Sequence, residues 1–206
     1  MEFVAGDGEL WSAQLLLAYL KSQGHRSAWL DARKVLVVEP NTNSVTIYWS
    51  FSKQKLQAWR ANHPDTNLLV ITGYIASTRD GVATTLKRNG SDLSASIFAA
   101  LPGAQSVTIW TDVDGVFSAD PRRVPDAVVI AELSYQEPLN SRTSEQRSSI
   151  PNTMSPAITN DITVWIDTFK PDAPGTKISA VSRKEVPIKG FAADRQHASE
   201  PTANSH

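Results

Sequence analysis

The stretch NLLVITGYIAST at residues 67 to 78 is a continuous apolar run that ends in small and polar residues. An uninterrupted run of this kind suits a strand buried on both faces in a parallel sheet, with its polar end delivering a loop to a ligand. The flanking segments fit the same plan. Glu9 to Gln23 carries Leu10, Trp11, Gln14, Leu17, Ala18 and Lys21 at helical spacing, with Gly24 placed to cap the C-terminus. SAWLDAR, KVLVVEP and VTIYWS at 45–50 read as strands, and 53–62 as a second helix. After a turn at TRDGV, a helix is expected from Ser91 to Leu101, stopped by Pro102 and Gly103, then a strand from Ser106 to Thr111. Such alternation predicts an α/β layered fold with a mainly parallel sheet.

With 206 residues the chain is long enough for one substantial core, so a single domain is the default. Periodicity fails between Glu132 and Pro151, where Pro138 would disrupt a helix interior. SPAITNDITVWIDTF restores a short helix and a strand, and APGTKIS marks a turn into a final strand. These features place a domain over residues 1–180 and a disordered, solvated tail over 181–206. The content of 41% apolar and 20% charged residues is that of a soluble globular protein. No apolar run reaches the about 18 residues needed to span a bilayer, and Met1 is followed by Glu2 rather than a basic signal-peptide start. A net charge of −1 gives no bias toward nucleic acid or anionic lipid, so any anion site must be local. The chain has no cysteine, which excludes disulfides, thiolate metal sites and a cysteine nucleophile. His25, His63, His197 and His206 lack the spacing of a zinc site, and no metal centre is expected.

Two stretches carry the chemistry. In LKRNGSDLSAS at 86–96, Gly90 permits a tight turn while Ser91 and Asp92 can cap the following helix, leaving backbone N–H groups free for an anion. Arg88 adds a planar fork of donors suited to a carboxylate or phosphate. Plain helix capping beside a surface arginine reads the same residues equally well. In IWTDVDGVFSADPRR at 109–123, a strand ends at Thr111 beside Asp112, Asp114 and Gly115, at the strand edge where α/β folds place ligands. The calcium-loop reading of D-x-D-G fails because the ligand spacing and the terminal glutamate are missing. A third segment, GDGEL at 6–10, puts Glu9 at a helix start, where it either meets a substrate ammonium or favours the helix dipole.

The ordered set GDGELWSAQ, LVITGYIAST, TTLKRNGSDLSAS, VTIWTDVDGVFSADPRRVPDAVV, ELSYQE and FKPDAPGTKI resembles the catalytic domain of aspartate kinases over residues 3–178. It is most similar to the type fused to homoserine dehydrogenase in bacteria and plants. The resemblance implies a three-layer αβα sandwich of the amino-acid-kinase type, present in part. The implied reaction phosphorylates the side-chain carboxylate of L-aspartate with ATP and Mg²⁺, opening lysine, threonine and methionine biosynthesis. It further implies that Glu9 meets the substrate ammonium, that Thr85, Arg88 and Ser91 hold its carboxylates, and that Asp92 organises the reaction centre. Thr111, Asp112, Phe117 and Arg122 would line the nucleotide site, with Phe117 where the family often has tyrosine.

Two departures bear on activity. The family begins with a segment reading like K-F-G-G-T-S, whose lysine contacts phosphates, and nothing of that kind precedes Met1. At 138–152 the sequence EPLNSRTSEQRSSIPNT faces a family pattern in which Arg147 takes the place of a second lysine, Ile150 of a histidine and Asn152 of an arginine. Arginine keeps the charge without the compact ammonium. The expectation is an impaired aspartate kinase, or a non-catalytic module that retains an aspartate and nucleotide pocket, as a homo-oligomer or paired with a full-length enzyme. The compartment is left open between cytoplasm and plastid.

Overall fold

A computed structural model describes residues 2–135 and 153–180 of the chain. It opens with helix α1, Glu2–Ser22, seven residues before the start that periodicity suggests, so Gly6 and Gly8 lie inside the helix. Gly6 is tolerated there because α1 presses on strand β5, Ile75–Ser77: a Cβ on Gly6 would sit 2.8 Å from Ile75 Cγ2. The helix ends as its sequence predicts. Gly24 takes φ 82°, its N–H donates to Lys21 O, and His25 N–H donates to Leu20 O. This paired pattern satisfies the last carbonyls. The large side chains of α1 face outward: Trp11, Leu15 and Tyr19, spaced one turn apart, are exposed, while Ala13 is buried.

Strand β1, Ser27–Leu30, leads to a 3-10 turn at Ala32–Lys34, which the sequence reading gave to a strand. Asp31 caps that turn and grips Arg33 in a two-pronged ion pair, with Nη2 2.6 Å from Oδ2. Strands β2, Val38–Pro40, and β3, Val45–Ile47, form an antiparallel hairpin. Helix α2, Trp49–Ala61, begins four residues before the expected Lys53. Strand β4, Leu68–Ile71, runs parallel to β1, but the apolar run does not continue as one strand. It turns at Gly73–Tyr74 and re-enters as β5, which pairs antiparallel with β6, Ala83–Thr85. Tyr74 adopts φ 67°, and a residue there leaves the β region and breaks the ladder.

Helix α3, Gly90–Ala100, is followed by β7, Ser106–Thr111, as the pattern predicts. Beyond β8, Glu132–Ser134, come helix α4 at 153–159, β9, Thr163–Thr168, and β10, Thr176–Ser179. The last sheet has the order β7-β9-β10-β8, parallel except between β9 and β10. The fold is therefore α/β, with strands in the β7-β9-β10-β8 sheet, the parallel β1-β4 pair and the antiparallel β2-β3 and β5-β6 pairs.

Each main sheet has its own core. Leu30, Leu36, Leu56, Leu86 and Ile97 build the first, and Leu133, Met154, Val164, Ile166 and Ile178 the second. Burying each such side chain contributes roughly 1.5–3 kcal/mol. Helix α3 serves both, with Ile97 and Leu101 in the first and Ala99 in the second. It thereby fixes its N-terminal loop against one sheet and its other face against β7. Among the described residues no helix is long and apolar enough to cross a membrane.

Candidate active site

The close approach of α1 at Gly6 brings Glu9, one helical turn further on, to the loop after β4. Glu9 lies in the body of α1, so its placement at a helix start, and with it the dipole reading, does not hold. Its carboxylate instead faces Gly73: a Cβ built there would lie 3.7 Å from Glu9 Oε2 and 3.8 Å from Ser91 Oγ. Three segments distant in sequence, α1, the β4–β5 turn and the start of α3, thus meet around one hydrogen-only α-carbon.

That meeting point is held by strained backbone. Among the described residues four non-glycine positions have positive φ, and three of them, Tyr74 (67°), Lys87 (64°) and Asn89 (56°), flank it. Left-handed backbone at such residues costs of order 1–3 kcal/mol each, and persists only where the surroundings over-determine it. The restraints are visible. Tyr74 N–H donates to the buried Ser94 Oγ at 2.8 Å, and Leu86 N–H donates to Tyr74 O at 2.8 Å. The Tyr74 ring lies on Gly90, where a Cβ would fall 2.6 Å from Cδ2.

The N-cap of α3 is Asn89, which makes no side-chain cap hydrogen bond, and Ser91 and Asp92 sit within the first turn rather than capping it. A cap needs extended backbone so that its side chain can reach forward, and the left-handed Asn89 denies that geometry. The first-turn N–H groups are left without the side-chain partner that the sequence suggested. Asp92 is half-buried, and burial raises its pKa above the usual aspartate value. The cause is the loss of hydration that the charged carboxylate suffers on burial. Among the described residues no ion pair engages Glu9, Arg88 or Asp92.

Thr85 is buried on β6 opposite Ile75. Arg88 is exposed and borders a groove of about 1210 Å³ between the β2–β3 hairpin, α2, α3 and α4. Lys53, Asn89 and Asn160 line the same groove, whereas Glu9 and Ser91 do not. The structure therefore brings Glu9 and Ser91 together and sets Arg88 on the neighbouring side of the 86–91 loop.

The second stretch is organised differently. Thr111 ends β7 and its hydroxyl donates to Asp112 Oδ1 at 3.2 Å. Asp114 pairs with Lys170 Nζ at 2.7 Å. Gly115 has φ 137°, and a Cβ there would meet Thr176 Oγ1 and Val129 Cγ1 at 2.7 Å. Thr176 Oγ1 accepts from Val116 N–H and donates to Ile130 O, which fastens the loop to β10. Phe117 bridges to Val129. Arg122 is exposed and forms an ion pair with Asp120, Nε to Oδ1 at 3.2 Å. The Arg122 backbone N–H and guanidinium together hold the Asp120 carboxyl below the usual range.

Sequence reasoning missed Gly73, Tyr74, Ser94 and Lys170. The G-Y pair inside an apolar run was the available signal for the first two; nothing in sequence spacing ties Ser94 to Tyr74 or Lys170 to Asp114. Pro138, Arg147, Ile150, Asn152 and the 181–206 tail lie outside the described residues. No group of three or more histidine, aspartate or glutamate side chains that could hold a metal ion occurs among the described residues.

Known proteins are similar to this chain in sequence and in fold. The chain is 44% identical over 199 residues to a chloroplastic bifunctional aspartokinase/homoserine dehydrogenase 1 of Arabidopsis thaliana, covering 93% of this chain and 22% of that protein. It is 38% identical over 179 residues to the bifunctional aspartokinase/homoserine dehydrogenase 2 of Escherichia coli, covering 86% and 22%. The chain thus spans about a fifth of the length of these relatives. Among solved structures, E. coli aspartokinase III in complex with lysine and aspartate superposes with a TM-score of 0.75 at 27% identity, covering 88% of this chain and 41% of that one. The same enzyme with aspartate and ADP gives 0.75 at 29% identity, covering 85% and 39%. The model of the amino acid kinase family matches residues 1–166, and the chain belongs to that family.

Proposed function

We propose that this chain carries the amino-acid and nucleotide pocket of an aspartate kinase and transfers the γ-phosphoryl group of Mg-ATP to the side chain of L-aspartate at a low rate. The observation that carries this reading is the convergence of Glu9 and Ser91 on Gly73, beside the half-buried Asp92. An amino acid presents an ammonium and a carboxylate on one carbon, and a carboxylate facing a hydroxyl across a small gap suits that pair. Glu9 takes the ammonium. Ser91 and the first-turn N–H groups of α3 take a carboxylate, with Arg88 reaching a second from the groove side.

In the transfer, a side-chain carboxylate oxygen of aspartate attacks the γ-phosphorus. A P–O bond forms as the bond to the β,γ-bridging oxygen breaks, and ADP departs with that electron pair. Catalysis of this step is positioning and neutralisation of phosphate charge, the latter shared by Mg²⁺ bound to the triphosphate. Thr111, Asp112, Phe117 and Arg122 orient the nucleotide at the end of β7, where parallel strands present ligands. Asp92 orders the space between the two substrates.

The low rate follows from charge. Among the described residues no ion pair engages Asp92, and Arg147 stands where the resemblance expects a lysine. Removing one such electrostatic element commonly costs on the order of a hundredfold or more in rate. The same observation favours, as a second reading, a module that binds aspartate without turning it over. Trapping acyl phosphate as hydroxamate with Mg-ATP and L-aspartate, alongside calorimetry for each ligand, separates the two. Slow hydroxamate formation supports the first, binding without product the second, and the absence of aspartate binding sinks both.

A further inference from the structure

We propose that Gly73 determines specificity for the amino-acid substrate: its missing side chain leaves the space in which the substrate's α-carbon sits between Glu9 and Ser91. This rests on the aspartate reading above. The point that a Cβ on Gly73 would occupy is 3.7 Å from Glu9 Oε2, 3.8 Å from the Ser91 α-carbon and 3.8 Å from Ser91 Oγ. Those are ordinary van der Waals separations, so the protein itself would accept a methyl group there. No positive φ is needed at this glycine, so neither backbone strain nor internal contact calls for glycine at 73.

Three other glycines behave differently. Gly6 and Gly90 are required by neighbours 2.8 Å and 2.6 Å from the added Cβ, and Gly115 by contacts at 2.7 Å and a φ of 137°. Gly73 is the one among these four whose side of the backbone opens onto polar groups belonging to the proposed pocket. What it keeps clear is therefore room for a ligand. An α-amino acid held by its ammonium on Glu9 and a carboxylate on Ser91 must pass its α-carbon through the gap between them. A methyl group on residue 73 would stand in that gap.

The geometry also makes the position selective. The methyl would press on the ligand's α-carbon and leave Thr111, Asp112 and Arg122, on the β7 loop, untouched. Its effect should fall on amino-acid binding alone. Tyr74, which follows, holds the floor of the gap through its N–H on Ser94 and its ring on Gly90.

The test is calorimetry of the whole chain and its Gly73→Ala variant with L-aspartate and, separately, Mg-ADP. The expected result is at least a tenfold loss of aspartate affinity, an unchanged Mg-ADP affinity and an unchanged melting midpoint. In the unsubstituted protein, the Gly73 amide resonance should also shift on adding L-aspartate and not on adding Mg-ADP, which keeps the inference testable if the variant folds poorly. Equal aspartate affinity in the two proteins, or a silent Gly73 amide while aspartate binds, overturns the inference and leaves the proposed function standing. A joint loss of both ligands with a lowered midpoint assigns Gly73 a purely structural role and overturns it as well. If the unsubstituted protein does not bind aspartate at all, the proposed function fails and this inference with it.

Discussion

Around Gly73 the backbone is strained and, among the described residues, Glu9, Arg88 and Asp92 make no ion pair, whereas around Gly115 the backbone is pinned by a threonine hydroxyl and Asp114 and Arg122 are each held in an ion pair. Tyr74, Lys87 and Asn89 hold left-handed angles in the first region, and among the described residues no ion pair there engages Glu9, Arg88 or Asp92. In the second, Asp120 holds Arg122 and Asp114 holds Lys170. Charge without an ion pair, set in costly backbone, is what the proposed aspartate pocket requires. Self-paired charge describes a loop whose cations are already engaged, so that under the proposed function a triphosphate would compete with Asp120 for Arg122.

The largest expected contrast comes from the two crowded glycines. Gly115→Ala should destabilise the chain by about 3 kcal/mol, since the new Cβ meets a doubly bonded Thr176 hydroxyl and nearby backbone at an unfavourable φ. Gly90→Ala should cost about 1–2 kcal/mol, because the new Cβ meets the Tyr74 ring at 2.6 Å and the buried Leu86 Cβ at 3.0 Å, so that the ring must move aside. Swinging it releases the strained turn, so aspartate binding should fall further than stability does. Urea denaturation read beside calorimetry checks both, and equal costs at the two glycines would erase the distinction between a pinned loop and a strained one.

Next in size is Ser94→Ala. It leaves the Tyr74 N–H without its acceptor, at a cost of about 1–2 kcal/mol, and removes the restraint on the 73–74 turn. Aspartate affinity should drop while Mg-ADP affinity holds; Ser94→Thr, which keeps the hydroxyl, should restore most of it. Loss of both affinities together would mean that the two regions are coupled through α3.

These contrasts explain how far the sequence could be read. The alternation of strands and helices gave the fold class, the bounds of β7 and the Gly24 cap, because each depends on local periodicity or on one residue's conformational freedom. Glu9, Arg88, Ser91, Asp92, Thr111 and Asp112 were legible as candidates from residue chemistry, whereas their roles, and Thr85, Phe117 and Arg122, came only through resemblance; the start of α1, the break at Gly73–Tyr74 and the cap of α3 were misread. In those three places a tertiary contact overrides the local pattern: α1 against Ile75, Ser94 on Tyr74, and the Tyr74 ring on Gly90. Strain of this kind is invisible to propensity, since left-handed tyrosine and lysine are what propensity argues against.

A smaller effect is expected on the paired side. Asp120→Asn frees Arg122 and should tighten Mg-ADP binding roughly two- to fivefold at low salt, the scale of an exposed ion pair. The hydrogen bonds from Arg122 hold the Asp120 carboxyl below its usual range, so the pair is intact above the ordinary aspartate pKa and is lost as pH falls through the depressed value. At neutral pH the native pair therefore always competes, and the variant isolates its effect. Unchanged affinity would show that Arg122 does not reach the nucleotide.

The smallest effect belongs to Asp92. Burial raises its folded pKa, so the neutral form is favoured by folding: the stability it contributes is fully present below the ordinary aspartate pKa of about 3.9 and is lost as pH rises through the raised value. Charging the half-buried carboxylate as pH rises is therefore a cost to folding, and among the described residues no ion pair offsets it. Asp92→Asn keeps the side chain neutral and nearly the same shape at every pH. Its melting midpoint should exceed that of the native chain by about a degree or two at pH 7 and merge with it in acid. A midpoint that falls at pH 7 would place a cationic partner beside Asp92, and the slow-turnover reading would lose its physical basis.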